Sequence, residues 1–285
     1  MSTRAHTHSK MQAHLAERAG GFRVAAIQMA SGPTVGANLA EADVLIGMAA
    51  AQGAQLAVLP EYFAIIGLKD ADKVAVRESP GAGPIQDFLS RAAKKHGMWI
   101  IGGSVPLWDE HPNKVRNSCL VYDDQGKQVA RYDKIHLFGF ESGEERYREE
   151  ATITAGREVV AFDSPFGRIG LSICYDLRFP ELYRQMGMPD IICVPAAFTE
   201  TTGKAHWEPL LRARAIENQA YVIASAQGGY HRNGRETHGD SMIIDPWGQV
   251  LDRLARGSGV VIADIQPEHQ SRIRQSLPAL AHRVL

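Results

Sequence analysis

Apolar positions along the chain follow two alternating periods. Phe22 to Ala30 (FRVAAIQMA), Ala54 to Pro60 (AQLAVLP), Met98 to Val105 (MWIIGGSV), Asp190 to Pro195 (DIICVP), Tyr221 to Ala226 and Val260 to Ile265 read as short, largely apolar strands. Between them run helical patterns: Asn38 to Gln52, with Leu39, Ala42, Leu45 and Ala49 near helical spacing, then Gly83 to His96, Pro180 to Met186, Ala205 to Gln219 and Pro267 to Leu277. Turn signals at Asp123-Asp124-Gln125-Gly126, Ser164-Pro165-Phe166-Gly167 and Asp245-Pro246-Trp247-Gly248 each join two strand-like segments into a hairpin. The two halves repeat helix–strand–helix–strand plus a hairpin. That repetition predicts two sheets face to face with helices outside, and, with no low-complexity linker, one domain over residues 22–285.

Residues 1–21 are polar and His-rich and end in Gly20-Gly21, the pattern of a flexible tail. His6, His8 and His14 read as part of this solvated tail, with no Cys beside them, so no metal site is expected. The 285 residues carry a formal charge of −1, against a nucleic-acid partner, and no apolar run is long enough to span a bilayer. No apolar h-region of a secretory signal is present. Cys119, Cys174 and Cys193 are an odd set without CxxC spacing, which fits a reducing, cytoplasmic setting.

Candidate chemistry sits where apolar segments end. Ile169, Leu171 and Ile173 alternate as in a strand, and Cys174 follows just before Pro180 can open a helix. Helix N–H groups and the dipole there are expected to favour the thiolate. Glu61 ends a second strand and Lys134 follows a hairpin. Together the three supply amide hydrolysis through a thioester: Cys174 as nucleophile, Glu61 as base and then acid, Lys134 and the Tyr175 N–H as oxyanion donors, with Glu149 a candidate to orient Lys134. Each also has a bland reading: Cys174 as core, Glu61 as a cap, Lys134 as a solvated cation. His136, two residues from Lys134, offers a Cys–His pair as an alternative. Cys119 and Cys193 read as core. Gly102-Gly103 lacks dinucleotide-loop spacing, and no HExxH zinc signature appears.

The segments Leu59-Pro60-Glu61-Tyr62-Phe63, Tyr132-Asp133-Lys134-Ile135-His136-Leu137-Phe138 and Cys174-Tyr175-Asp176-Leu177-Arg178-Phe179-Pro180-Glu181 resemble motifs of the nitrilase superfamily of carbon–nitrogen hydrolases, in its order. The resemblance implies an α-β-β-α four-layer sandwich, usually dimeric, with Glu61, Lys134 and Cys174 as catalytic triad, Glu149 beside them, and neither metal nor organic cofactor. Ala197 to Glu217 and His238 to Gly248 look like the Nit branch, and Cys-Tyr-Asp in place of Cys-Trp-Glu points to amides over nitriles. The implied reaction converts a small carboxylate-bearing amide to carboxylate plus ammonia, with deaminated glutathione the favoured substrate and metabolite repair the setting. An ω-amide or an N-carbamoyl compound is the alternative, and a non-catalytic scaffold of the same fold the rival. Tyr175, Arg178, Phe198, Thr199 and His206 are the substrate-binding candidates. Arg178 has a competing structural role, pairing with Asp176 or Glu181. Arg212, Arg214 and Glu217 read as structural or dimer-interface charges.

Overall fold

A computed structural model describes residues 20–143 and 145–284, so most of the expected N-terminal tail lies outside the described residues. Strands β1 (Phe22–Gln28), β2 (Leu56–Val58) and β3 (Trp99–Ile101) run parallel. They join β4 (Val105–Trp108), β5 (Val115–Tyr122), β6 (Gln128–Asp133) and β17 (Gly259–Ile265) in a seven-stranded sheet of order β17-β1-β2-β3-β5-β4, with β6 on β5. The second sheet has six strands, β16-β15-β12-β11-β10-β9. Its parallel centre is β10 (Gly167–Leu171), β11 (Ile191–Ala196) and β12 (Tyr221–Ala226). β9 (Ala161–Ser164) lies on one side, and β15 (Ser241–Ile244) and β16 (Val250–Leu254) on the other.

Side-chain alternation explains why four layers form. In β1 and β2, Val24, Ala26, Leu56 and Val58 point into the core shared with Ile169, Leu171 and Val194 of the second sheet. Their neighbours Ala25, Ile27, Ala57 and Leu59 turn the other way, onto α1 (Val35–Ala51) and α2 (Pro84–His96) through Leu45, Ile46, Ile85 and Leu89. Beyond the second sheet lie α3 (Pro180–Gln185) and α4 (Glu200–Asn218), which bury Tyr183, Trp207 and Leu211. The layers are therefore helix, sheet, sheet, helix, as expected. A last helix, α5 (Pro267–Ser276), follows β17. Ser225 on β12 spans the sheets, its hydroxyl within reach of the Val58 carbonyl (2.9 Å) and of the Ile27 carbonyl, to one of which it donates its single proton.

Three local expectations change. The single strand over Met98 to Val105 is two, because Gly103 turns back at φ +53°, so close to the Pro60 carbonyl that no Cβ fits. Helix α4 starts at Glu200, ahead of Ala205, because the Thr199 hydroxyl caps it by accepting the Thr202 N–H at 3.3 Å. Two small hairpins also appear, β7 (Gly139–Ser142) with β8 (Glu145–Arg148) and β13 (Gly228–Tyr230) with β14 (Glu236–His238). Among the described residues no helix is long and apolar enough to cross a membrane.

Candidate active site

Cys174 begins a tight helical turn, Cys174–Arg178, separated by two residues from the end of β10. Its φ of +51° is rare for a residue with a side chain, so the surroundings must impose it. Two buried residues do so. The Asp176 carboxylate accepts the Ile173 N–H (2.9 Å), the Tyr132 hydroxyl (2.6 Å) and the His136 N–H (3.0 Å), and meets His136 Nδ1 at 2.7 Å. From α4, Arg214 donates Nε and Nη2 to the Leu177 carbonyl (3.1 and 2.7 Å) and Nη1 to Glu217 (2.8 Å). The structural reading of Arg214 thus gains a specific content: it ties α4 to the elbow. Arg214→Met should lower stability by about 2–3 kcal/mol, read as a fall in the denaturation midpoint. A change below about 0.5 kcal/mol, the range of an ordinary surface substitution, would contradict this role.

Glu61 lies three residues beyond the end of β2, its carbonyl held by Gln227 Nε2 at 3.0 Å and its Oε1 by Asn117 Nδ2 at 3.0 Å. Lys134 directly follows β6, its N–H donating to the Asn117 carbonyl at 3.0 Å, so neighbouring strands β5 and β6 aim it. Its ammonium donates to Glu61 Oε1 at 2.8 Å and to Glu149 Oε1 and Oε2 at 2.9 and 2.7 Å. Glu149 also accepts the Tyr62 hydroxyl (2.8 Å) and the Phe138 N–H (2.7 Å). Lys134 and Glu61 are 0% and 1% exposed and Cys174 is 7% exposed, so the pairings form almost without solvent.

Burial sets the charge states. It raises the Glu61 carboxyl above the usual carboxylate range, against the pull of Lys134 and of a hydrogen bond from the Cys174 thiol. Burial acts the same way on Glu149, but Lys134 and the Phe138 N–H prevail and hold it below that range. Lys134 stays an ammonium: desolvation opposes the charge, and the Glu149 and Glu61 carboxylates outweigh it. The expectation for Cys174 is overturned. Desolvation and then Glu61 push its thiol well above the ordinary value, while Lys134 and, less, the Ala197 N–H offset only part. The resting sulfur is a thiol, not a dipole-stabilised thiolate.

Cys174 and Glu149 open onto a narrow cavity with room for about one water molecule. Of the substrate-binding candidates, Tyr175, Arg178, Phe198 and Thr199 line it. His206 does not; it is exposed and reaches the site only through Arg178 Nη1, 3.2 Å from its Nδ1. Arg178 pairs with neither Asp176 nor Glu181. Its guanidinium lies over Phe198 and Tyr175, 5.3 and 5.9 Å from the ring centres, because Asp176 is spent on the elbow. His136 is engaged by Asp176 and stacks on Phe179 at 3.7 Å, so it forms no pair with the thiol. Cys119 and Cys193 are in the core. The sequence reading missed Tyr62, Asn117, Gln227 and Arg235; only Tyr62 lies inside a recognisable motif.

This fold, with a buried thiol beside a carboxylate and an ammonium at the strand ends, is the frame of a hydrolase that cleaves carbon–nitrogen bonds. The chain belongs to the carbon–nitrogen hydrolase family, whose model matches residues 23–275. It falls in the Nit branch of the nitrilase superfamily. It is 43% identical over 269 residues to a deaminated glutathione amidase of Synechocystis, covering 92% of this chain and 98% of that one. It is 35% identical to the omega-amidase NIT2 of Danio rerio, covering 92% and 94%. The crystal structure of Saccharomyces cerevisiae Nit3, a member of branch 10 of the superfamily, superposes with a TM-score of 0.83 at 28% identity, covering 93% of this chain and 97% of that one.

Proposed function

We propose that this carbon–nitrogen hydrolase is an amidase that cleaves a small, carboxylate-bearing amide through a thioester on Cys174, within one domain over residues 22–285. The observation that carries the reading is the buried Lys134 ammonium shared by the Glu61 and Glu149 carboxylates, with the Cys174 thiol and Glu149 opening onto one cavity. In the free enzyme the thiol proton stays on sulfur. As the amide carbonyl meets Sγ, the proton passes to Glu61 and sulfur bonds to carbon. The oxyanion forms near Lys134 and the Tyr175 N–H, which has no partner among the described residues. Glu61 hands its proton to the departing nitrogen as the C–N bond breaks. A water then gives Glu61 a proton as it attacks the thioester, and the thiol is restored. Glu149 acts through Lys134, fixing the ammonium without touching the reacting atoms.

The relatives' names favour two substrate classes. With a primary ω-amide the released nitrogen is ammonia; with deaminated glutathione it is the amine of cysteinylglycine, so both products must be assayed. Arg178 in the cavity, without a carboxylate partner among the described residues, supports an acidic substrate. A panel of deaminated glutathione, ω-amides of short diacids and N-carbamoyl acids tests the function. Turnover of an acidic amide is expected; no turnover of any member favours a non-catalytic scaffold. A cytoplasmic homodimer engaged in metabolite repair completes the proposal, and sedimentation reads the dimer.

The acid limb of kcat/KM should follow Glu61. Its carboxyl is raised, so the base form is present above the shifted value and lost as pH falls through it. Activity should therefore decline at a pH above the ordinary carboxylate range. A profile flat down to that range contradicts the assignment.

A further inference from the structure

Arg235 has no part in the chemistry above. It lies in the loop joining β13 and β14, which the chain holds in place. The His231 N–H donates to the Arg235 carbonyl (2.9 Å), the Arg235 N–H to Asn233 Oδ1 (3.0 Å), and Asn233 Nδ2 to the Gly67 carbonyl (2.8 Å). The side chain enters the cavity that Cys174 and Glu149 line, and its guanidinium lies 5.0 Å from the centre of the Tyr147 ring. Among the described residues it makes one side-chain hydrogen bond, from Nη2 to the Ala197 carbonyl at 3.2 Å. Its Nε–H is buried and has no partner among the described residues.

A guanidinium has five N–H donors in a fork that matches a carboxylate, and a buried donor left unmet is costly. Lys134 is already paired with Glu61 and Glu149 at 2.7–2.9 Å, whereas among the described residues no carboxylate lies within ion-pair distance of the Arg235 guanidinium. A ligand carboxylate would meet both the open N–H edge and the charge.

We propose that Arg235 is a specificity-determining residue, whose open N–H edge receives a carboxylate of the substrate while the amide carbon meets Cys174. The proposal rests on the amidase reading and goes beyond it by assigning the acid group to a residue. Arg178, already in contact with His206 and two rings, is a separate wall of the same cavity.

The test compares glutaramate, an acid amide, with pentanamide, its uncharged counterpart, in the parent protein and in Arg235→Gln. The kcat/KM ratio of glutaramate over pentanamide is expected to fall by about a hundredfold or more. Arg235→Lys, which keeps the charge but loses the fork, should recover part of that ratio. Equal losses on both amides would mean that Arg235 serves the catalytic groups instead, and an unchanged ratio would mean that it serves neither; each overturns the proposal. Binding gives a second readout that needs no turnover. Glutarate titrated into Cys174→Ala should bind at least about tenfold more tightly than into Cys174→Ala/Arg235→Gln, and equal affinities overturn the proposal. If the parent turns over neither amide, the amidase reading is in question while the titration still decides Arg235.

Discussion

Cys174→Ala should retain the fold and lose turnover by a factor on the order of 10⁴ or more, since among the described residues no other thiol lines the cavity. The substitution removes one sulfur from a residue already 7% exposed, and the turn around it is held by Asp176 and Arg214 rather than by the thiol. Both Cys119 and Cys193 are core residues with thiols pushed up by burial, so neither substitutes as a nucleophile. Amine release from an accepted amide, measured beside a thermal melt, reads the two effects separately. Residual activity within tenfold of the parent would place the nucleophile elsewhere.

Lys134→Met should be the most destabilising single change at the site, by about 3–5 kcal/mol, because it leaves the buried Glu61 and Glu149 carboxylates without the cation they share. The sign of its pH dependence follows. Without Lys134, burial and mutual repulsion raise both carboxyls above their unfolded values. The folded variant is then favoured while they stay protonated, and it loses stability as pH rises through the raised values. The gap to the parent is therefore widest at neutral pH and closes on acidification. Lys134→Met/Glu149→Gln, with one anion fewer, should regain a good part of the loss. Denaturant midpoints at several pH values test this. A pH-independent difference, or no rescue, would contradict the picture of one cation balancing two carboxylates.

The layered architecture was legible because β1, β2, β11 and β12 are largely apolar runs and β10 alternates, between helical patterns and Gly-marked turns. Glu61, Lys134 and Cys174 were legible for a related reason, as polar residues at abrupt strand ends within recognisable motifs. Other features depend on partners remote in sequence. The thiol's protonation state is set by burial and by Glu61, more than a hundred residues away, so the local helix dipole misled. Arg178 was expected to pair with Asp176, but Asp176 is claimed by Tyr132 and His136 from the other half of the chain. The loop carrying Arg235 joins two strands of three residues each, too short to leave a periodic signature. Thr199 doubles as helix cap and cavity wall, and only the cap function has a sequence signal.

The central claim is that an acyl group passes through sulfur at Cys174 under the control of Glu61. It is tested most directly by quenching the enzyme in acid during turnover and measuring the mass of the peptide that contains Cys174. The account predicts an increment equal to the acyl part of the substrate, one per chain at most, absent in Cys174→Ala. Turnover without any such increment, or an increment on another residue, would contradict it.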